Sequence, residues 1–354
     1  MEQIFLLLVE ATSKQTKISI ATLSDTNDIM KFINNEWKLD HILARNKKFF
    51  LYEHQNNNEI NFIISRSIER GSIIGVLGFI KCSLNTKLSD VATVIWKVSK
   101  TAKSPFLGVE LLRFLQNLPQ VRTIFSVGIN KKTVGIYTYL GMQTGTLDHF
   151  VLLNANCKNF RVAKVLLPHF PVRIDTIPIK EGYSVTSIDT FAKIKHYGFD
   201  KFENVIPYKD SYYYQRRYFA HPIYKYQVFG LKFNEVLISI VFTRIQESEK
   251  GNVLRIVDFV GPESTFRYYS QFFNSFMQEN NLEYTDIYCY GIDKESVLEA
   301  GFIDLKLKES EELIIPNYFS PFVQKNVDIL FFVDSQKSSN IKLFKADGDQ
   351  DRPS

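Results

Sequence analysis

The chain has 354 residues, 45% of them apolar, and a formal net charge of +5 spread along its length. That length divides more naturally into two domains than one, with enough apolar content for a sizeable core in each. No Lys/Arg block marks a nucleic-acid surface, and the apolar run Ile4–Val9 is too short for a signal segment or a membrane span, so neither nucleic acid nor membrane is an expected partner.

The Ile4–Val9 run itself reads as disordered or as a first short strand. Cys82, Cys157 and Cys289 stand far apart with no CxxC and no nearby His pairing, which argues against a metal site and a disulfide framework and for a reducing, cytoplasmic setting. Ile18–Leu23 reads as a strand and Asp25–Trp37 as a helix capped by Ser24 or Asp25. Apolar content and alternation predict strands at Phe49–Glu53, Asn61–Ser65, Ser72–Ser83 and Val91–Val98. A helix over Leu107–Gln116 follows, then the strand Thr123–Ile129. Next come a short helix opened by Asn130 and closed at Leu140–Gly141, and a last strand pair ending near Leu153.

After a link punctuated by Pro168, Pro171 and Pro178 the same order returns. Tyr183–Ile188 is a strand, Thr190–Tyr197 a helix, and Tyr226–Phe233, Glu235–Thr243 and Val253–Val260 are strands. A helix over Ser264–Gln278 leads to the strand Asp286–Tyr290 and a short helix over Lys294–Ala300, again ending in Gly301–Phe302. Two copies of one α+β fold in tandem is the economical reading, with an unrelated second α/β domain as the alternative. The expected boundaries are a first domain over residues 1–165, a linker over 166–182, a second domain over 183–340 and a tail over 341–354.

The stretch Tyr208–Tyr226 (YKDSYYYQRRYFAHPIYKY) is the densest aromatic and basic cluster. It reads either as an amphipathic helix through Arg217, stopped near His221–Pro222, whose tyrosines pack on their own domain, or as a ligand surface presenting Arg216, Arg217, His221 and Tyr224. The tail from Lys342 is by composition solvated and mobile; in the alternative, Asp347, Asp349, Asp351 and Arg352 fold back to order a site.

The strand Thr93–Val98 runs into SKTAKSPFLGVELLRFL, a loop that opens a helix. Such a junction aims backbone N–H groups and a helix N-terminus at an anion, although Lys-Ser-Pro before a helix is also an everyday start signal. Asn130 either caps its helix or offers its amide to a ligand. In the second copy, Val257–Gly261 passes straight to Pro262 with no basic residue, and the short helix carries no tyrosine. Asp258 is there the best candidate for a carboxylate that orients or deprotonates an amine, with a buried structural Asp as the alternative.

Taken together, SPFLGVELLRFL, GINKKTVGIYTYLGM, RIVDFVGPES and the terminal DGDQDRP resemble the tandem-GNAT sugar N-acyltransferases of bacterial surface-polysaccharide pathways, over nearly the whole chain. The resemblance implies an α+β architecture of two tandem GNAT folds, each a mixed, mostly antiparallel sheet flanked by helices. It implies acyl-coenzyme A as co-substrate with no permanently bound cofactor, and a dTDP-linked amino-dideoxy sugar as acceptor. It implies too that acetyl or 3-hydroxybutanoyl is transferred directly, without an acyl-enzyme, and that the protein is a homodimer.

On the superfamily's pattern Val98, Lys103, Ser104, Leu107 and Gly108 surround the pyrophosphate, and Asn130 and Tyr139 lie by the pantetheine. Lys103 stands where Arg or Gln is usual, and Phe106 replaces the middle glycine. Tyr137 takes the place of a tyrosine that protonates the departing thiolate, a feasible transfer between a thiol of pKa ~8.5 and a phenol of ~10; a core tyrosine is its alternative. A backbone N–H near Ser99 stabilises the oxyanion. On the resemblance, Arg216, His221, Tyr224, Asp349 and Arg352 are the residues expected to contact the sugar nucleotide. Rival readings are a peptidoglycan-type aminoacyl transferase and a degenerate GNAT pair that binds without catalysis.

Overall fold

The computed structural model describes residues 16–84, 87–165, 180–307, 313–334, 340–348 and 350–353. The Ile4–Val9 run, most of the expected linker over 166–182, and Asp349 fall outside the described residues. By packing, the chain forms a first unit ending at Ser126, joined by the last residues from Arg352, and a second unit running from Val127 to Asp351.

In the first unit β1 (Thr16–Thr22), β2 (Glu59–Ser67), β3 (Ile73–Lys81), β4 (Ser89–Val98) and β5 (Val121–Val127) lie side by side in that order. All neighbours are antiparallel except β4 and β5, which run parallel. The parallel step needs a crossover, and α4 (Leu107–Gln116) supplies it. Its Leu107, Leu111, Leu112 and Leu115 form one buried stripe at helical spacing. Truncating any of them to Ala costs about 2–5 kcal/mol.

Between β1 and β2 lie α1 (Thr26–Phe32), α2 (Ile42–Arg45) and α3 (Lys47–His54). Phe49–Glu53 is therefore helical, not the strand expected. Asn46 caps α3 by accepting the Phe49 N–H at 3.0 Å. Phe49, Phe50, Glu53 and His54 are buried at the spacing of one helix face, which a reading by apolar content alone mistakes for a strand. The predicted helix over Asp25–Trp37 is present, with a tight turn at Leu23–Asp25 before α1 and a widened turn at Ile33–Trp37 after it.

The second unit begins with α5 (Val134–Tyr139), β6 (Gln143–Thr146) and β7 (Asp148–Leu153). It continues with β8 (Tyr183–Ser187), α6 (Ser211–Tyr214), β9 (Gln227–Phe233), β10 (Val236–Ser248) and β11 (Gly251–Val260). Then come α7 (Ser270–Glu279), β12 (Leu282–Tyr290), α8 (Lys294–Glu299), β13 (Ile303–Asp304), β14 (Leu330–Val333) and β15 (Leu343–Phe344). The main sheet has the order β8-β9-β10-β11-β12-β7-β13, parallel only between β11 and β12, where α7 crosses over. Phe229, Leu254, Ile256, Phe266, Phe273 and Ile287 form the heart of its core. This is the strand and helix order of the first unit again, so the repeat read from the sequence is a repeat of fold.

The expected strand pair near Leu153 does not pair with itself. β6 pairs with β14, whereas β7 lies between β12 and β13. Composition explains the parting: β7 is buried at every position, as an interior strand must be, while β6 (QTGT) is half-exposed throughout. The expected helix over Thr190–Tyr197 is reduced to one tight turn, Phe191–Lys193. Only Ile194 in that stretch is buried, too little packing to hold a helix.

The terminal segment also departs from expectation. Leu343, Phe344, Lys345, Ala346, Asp347 and Asp351 are all buried. Composition counts charges but not their partners, and these charges have them. No helix among the described residues is long and apolar enough to cross a membrane.

Candidate active site in a strand fork

β4 and β5 pair from Ser89↔Val121 to Ala92↔Phe125 and, among the described residues, no further. Each strand nevertheless continues, β4 to Val98 and β5 to Val127. At the vertex the Ser126 hydroxyl donates to the Thr93 carbonyl at 2.8 Å, closing the last gap before the strands part. The Thr93–Val98 edge on that side is thus left without its β5 partner. On its other edge β4 carries a bulge: Leu77 faces Trp96 and Phe79 faces Thr93, so Val94 and Ile95 together oppose Gly78. A bulge takes a backbone N–H out of the regular ladder. The Ser99 N–H, by contrast, donates to the Ile74 carbonyl at 2.9 Å and is not available to an oxyanion.

Beyond β4 the loop reaches α4. Val98 is held in the ladder opposite Gly75, Leu107 is fully buried, and the Gly108 carbonyl accepts the Trp96 indole N–H at 3.0 Å. Leu107 therefore has only backbone to offer a ligand. Lys103 is exposed, whereas Ser104 is buried with a hydroxyl that finds no hydrogen-bond partner among the described residues. A buried hydroxyl without a partner is uncommon and fits a polar guest. Thr101–Ser104, with Ser67, Arg70 and Glu36, line a cleft of about 430 Å³, within the range of small-molecule sites.

In the second unit, Asn130 caps the turn before α5, its side-chain oxygen accepting the Lys132 N–H at 2.9 Å. Gly141, at φ +78°, closes the helix as the sequence predicts. Tyr137 is buried and stacks on Phe332, ring centroids 3.9 Å apart and planes 16° from parallel. Burial pushes its phenol well above the ordinary value, against a smaller opposing effect of the Thr133 hydrogen bond. That is away from the thiol range. Tyr139 is 83% exposed.

Asp258 lies fully buried on β11. Its Oδ1 accepts from Lys209 Nζ at 2.7 Å and from the Phe259 N–H at 2.8 Å, and its Oδ2 from the Tyr218 hydroxyl at 2.8 Å. Lys209 also pairs with Asp347 at 2.7 Å. Burial works against the Lys209 charge, but the two carboxylates hold it above the ordinary lysine value. This is the geometry of a buried ion cluster, with both Asp258 oxygens engaged.

His221 and Tyr224 stack at 5.4 Å, and His221 Nδ1 accepts the Tyr224 N–H at 2.8 Å. The Arg244 guanidinium lies 4.1 Å over the Tyr224 ring. Arg216 is half-buried, and it is its neighbour Arg217 that is buried, pairing with Asp351. Arg352 belongs to the first unit, where it pairs with Glu53. Sequence reasoning missed Lys209, Arg244 and Tyr226. A lone arginine in the apolar strand VFTRIQ is a signal that could have found Arg244, because a charge there needs a buried partner.

A further buried cluster joins His149, Arg255 and Asp286. Arg255 grips both Asp286 oxygens at 2.9 and 2.8 Å, and His149 Nε2 lies 3.0 Å from Oδ2. Despite burial, Arg255 and His149 hold the Asp286 carboxyl well below the usual range.

No known family's pattern matches the sequence, and no curated protein matches it. Among solved structures the chain is similar to a GCN5-related N-acetyltransferase from Kribbella flavida, with a TM-score of 0.54 at 10% identity, covering 90% of this chain and 70% of that one. It is also similar to a GCN5-related N-acetyltransferase from Anabaena variabilis ATCC 29413, with a TM-score of 0.50 at 8% identity, covering 90% of this chain and 72% of that one. At such identities the likeness establishes the fold. The chain is an α+β protein of two GNAT folds in tandem, each built on a mixed, mostly antiparallel sheet flanked by helices.

Proposed function

We propose that the protein is an acyl-coenzyme A-dependent N-acyltransferase whose donor lies in the fork between β4 and β5. The observation that carries the reading is the parting of these parallel strands after Ala92 and Phe125, which leaves the Thr93–Val98 edge without its neighbour. The pantetheine arm of coenzyme A bears two amides. Laid along that edge, it continues the ladder as an added strand would. The thioester carbonyl then falls to the N–H groups of the bulged Val94–Ile95 pair as its charge develops. Lys103, the Ser104 hydroxyl and the N–H groups of Leu107 and Gly108 receive the pyrophosphate at the start of α4. Phe106 keeps the backbone from approaching as closely as glycine would, so Lys103 and Ser104 carry the larger share.

A neutral amine attacks the thioester carbonyl carbon. The C–N bond forms, the C–S bond breaks, the nitrogen sheds a proton and the leaving thiolate takes one up. On this reading Tyr137 donates that proton. Its raised pKa keeps the phenol protonated at neutral pH and delays transfer until the C–S bond is largely broken. The acceptor is a dTDP-linked amino-dideoxy sugar, received by Arg216, His221 and Tyr224 with Asp349 and Arg352, and the acyl group is acetyl or 3-hydroxybutanoyl; this finer reading rests on the sequence resemblance, as does the homodimer, while the cytoplasmic setting rests on the dispersed cysteines.

Thermal shift with coenzyme A, acetyl-coenzyme A and dTDP, followed by thiol release over a panel of dTDP-amino sugars, tests both levels. Stabilisation by neither coenzyme A nor nucleotide sinks the proposal. Stabilisation without thiol release favours the second reading, a non-catalytic binding module, which Phe106 in place of glycine motivates.

A further inference from the structure

The second fold has the same fork, but a strand lies in it. β11 and β12 pair in parallel as far as Ile256↔Ile287, while β11 runs on to Val260 and β12 to Tyr290. One edge of β12 is covered by β7 as far as Cys289↔Asp148. The pairing of β15 with Cys289 and Tyr290 must therefore use the other edge, the one that faces β11. The following turn, Lys345–Asp347, packs on β11 as well as β12. The chain's own terminal segment fills the gap between the parted strands.

Side chains fasten it there. The buried Lys209 ammonium reaches Asp258 on β11 and Asp347 on the inserted turn, each at 2.7 Å. At the mouth, where a cofactor site would need cations, stands Glu263, and it is paired with Lys342 of the inserted segment. Gly291, which ends β12 at φ +77°, lies so close to the Ile341 carbonyl that an added Cβ would overlap it. The space left beside Val260, Gly261 and Phe344 is about 40 Å³. Sites for small molecules run to about 300–1,000 Å³, so this remnant excludes a nucleotide.

We propose that the segment Ile341–Asp347 is the permanent ligand of the second fork: a peptide backbone occupies the place that the amide-bearing arm of an acyl-coenzyme A takes in the first fork, and the protein binds one acyl-coenzyme A per chain. The comparison with the first fork rests on the function proposed above; the self-occupancy of the second does not.

Hydrogen exchange on the full-length protein separates the two claims. Without ligand, the amides of Ile341–Asp347 are expected to exchange at least about 1,000-fold more slowly than in the unfolded chain. Saturating acetyl-coenzyme A is expected to protect Thr93–Val98 and leave both Ile341–Asp347 and Val257–Gly261 unchanged. Gly291→Ala should speed exchange at Ile341–Asp347 at least about tenfold, because the added methyl displaces the segment. Gly301→Ala is the control, since Gly301 at φ +89° carries a similar backbone cost and meets only Leu152 and Ser270.

A terminal segment that exchanges like free chain in the unliganded protein overturns the proposal. So does acetyl-coenzyme A that protects Val257–Gly261 while releasing Ile341–Asp347. If acetyl-coenzyme A protects neither fork, the acyltransferase reading fails, and the assignment of the second fork stands or falls on the unliganded protein.

Discussion

Asp351→Ala should cost the second unit about 3–5 kcal/mol, the loss that follows when one partner of a buried ion cluster is removed. Asp351 is 1% exposed and accepts from Arg244 at 3.0 and 2.7 Å, from Arg217 at 3.1 Å and from the Tyr226 hydroxyl at 2.9 Å. Burial opposes its ionisation, yet Arg244 and Arg217 hold the carboxyl below its ordinary value. Without it two cations lose their counter-charge, and they do not suffer equally. The Arg244 side chain is 12% exposed and stacked on Tyr224, so water relieves part of its cost. Arg217 is 4% exposed and already has Nε and one Nη without hydrogen-bond partners among the described residues, so it bears most of the loss. In urea unfolding the midpoint should fall by more than about 1 M with little change in slope. Replacing the three charges together, Arg217→Met with Arg244→Met and Asp351→Leu, should recover most of the loss, since apolar substitutes for a buried ion cluster are often neutral. A cost below about 1 kcal/mol for Asp351→Ala, the worth of an exposed ion pair, would refute the reasoning.

Asp347 gives a pH signature. Burial, reinforced by Asp258, raises its carboxyl from 3.8 to about 6, against the opposing pull of Lys209 and the Phe344 N–H. The folded state then binds the proton more tightly than the unfolded chain, so this group's contribution is present at low pH and falls as pH rises through the raised folded-state value. The facing groups are Lys209, Asp258, Tyr214 and Tyr218. Thermal melts of wild type minus Asp347→Asn should show that slope, and a flat difference excludes it. Lys103→Ala should raise KM for acetyl-coenzyme A about tenfold at unchanged kcat, the pattern of lost uniform binding; a fall in kcat alone would contradict its place at the pyrophosphate. Tyr137→Phe should lower kcat ~100-fold with coenzyme A affinity held, and unchanged turnover removes Tyr137 from the chemistry.

The repeat was legible because it is written in features that depend on neighbours in sequence. The leucine stripe of α4 and the Asn130-to-Gly141 frame of α5 are local patterns, and both elements form where expected. What escaped depends on distant partners. Phe49–Glu53 looks extended until Asn46 is seen to cap it and Phe50 to stack on Phe62. The parting of β6 from β7 is decided by β12, β13 and β14, far along the chain. Most plainly, the charged terminal sequence reads as solvated because nothing local announces that Lys209, Arg217 and Arg244 await it. Of the candidate site, the strand-to-helix loop was legible from its order of residues. The parting of β4 and β5, which gives that loop its meaning, is a matter of pairing and is silent in the sequence.

A single constraint accounts for the difference between the two forks. Parallel strands that part leave backbone donors and acceptors that must find partners, and a fold repeated in tandem meets the problem twice. In the second fold the solution is internal: β15 supplies the backbone, Lys209 neutralises the carboxylates it brings together, and Glu263 takes Lys342. In the first fold the loop beyond β4 instead carries an exposed lysine and a buried serine hydroxyl without a partner among the described residues, the chemistry of a place that receives something from outside. The filled fork also reaches beyond itself. Past Asp347 the chain packs Gly348 against Val127 and Gln350 against Gly128, the two residues between Ser126 and the Ile129–Asn130 entry to α5. The segment that closes the second fork therefore also braces Val127 and Gly128 within the second unit. Loosening it should disturb α5 even though no residue of the terminal segment belongs to that helix.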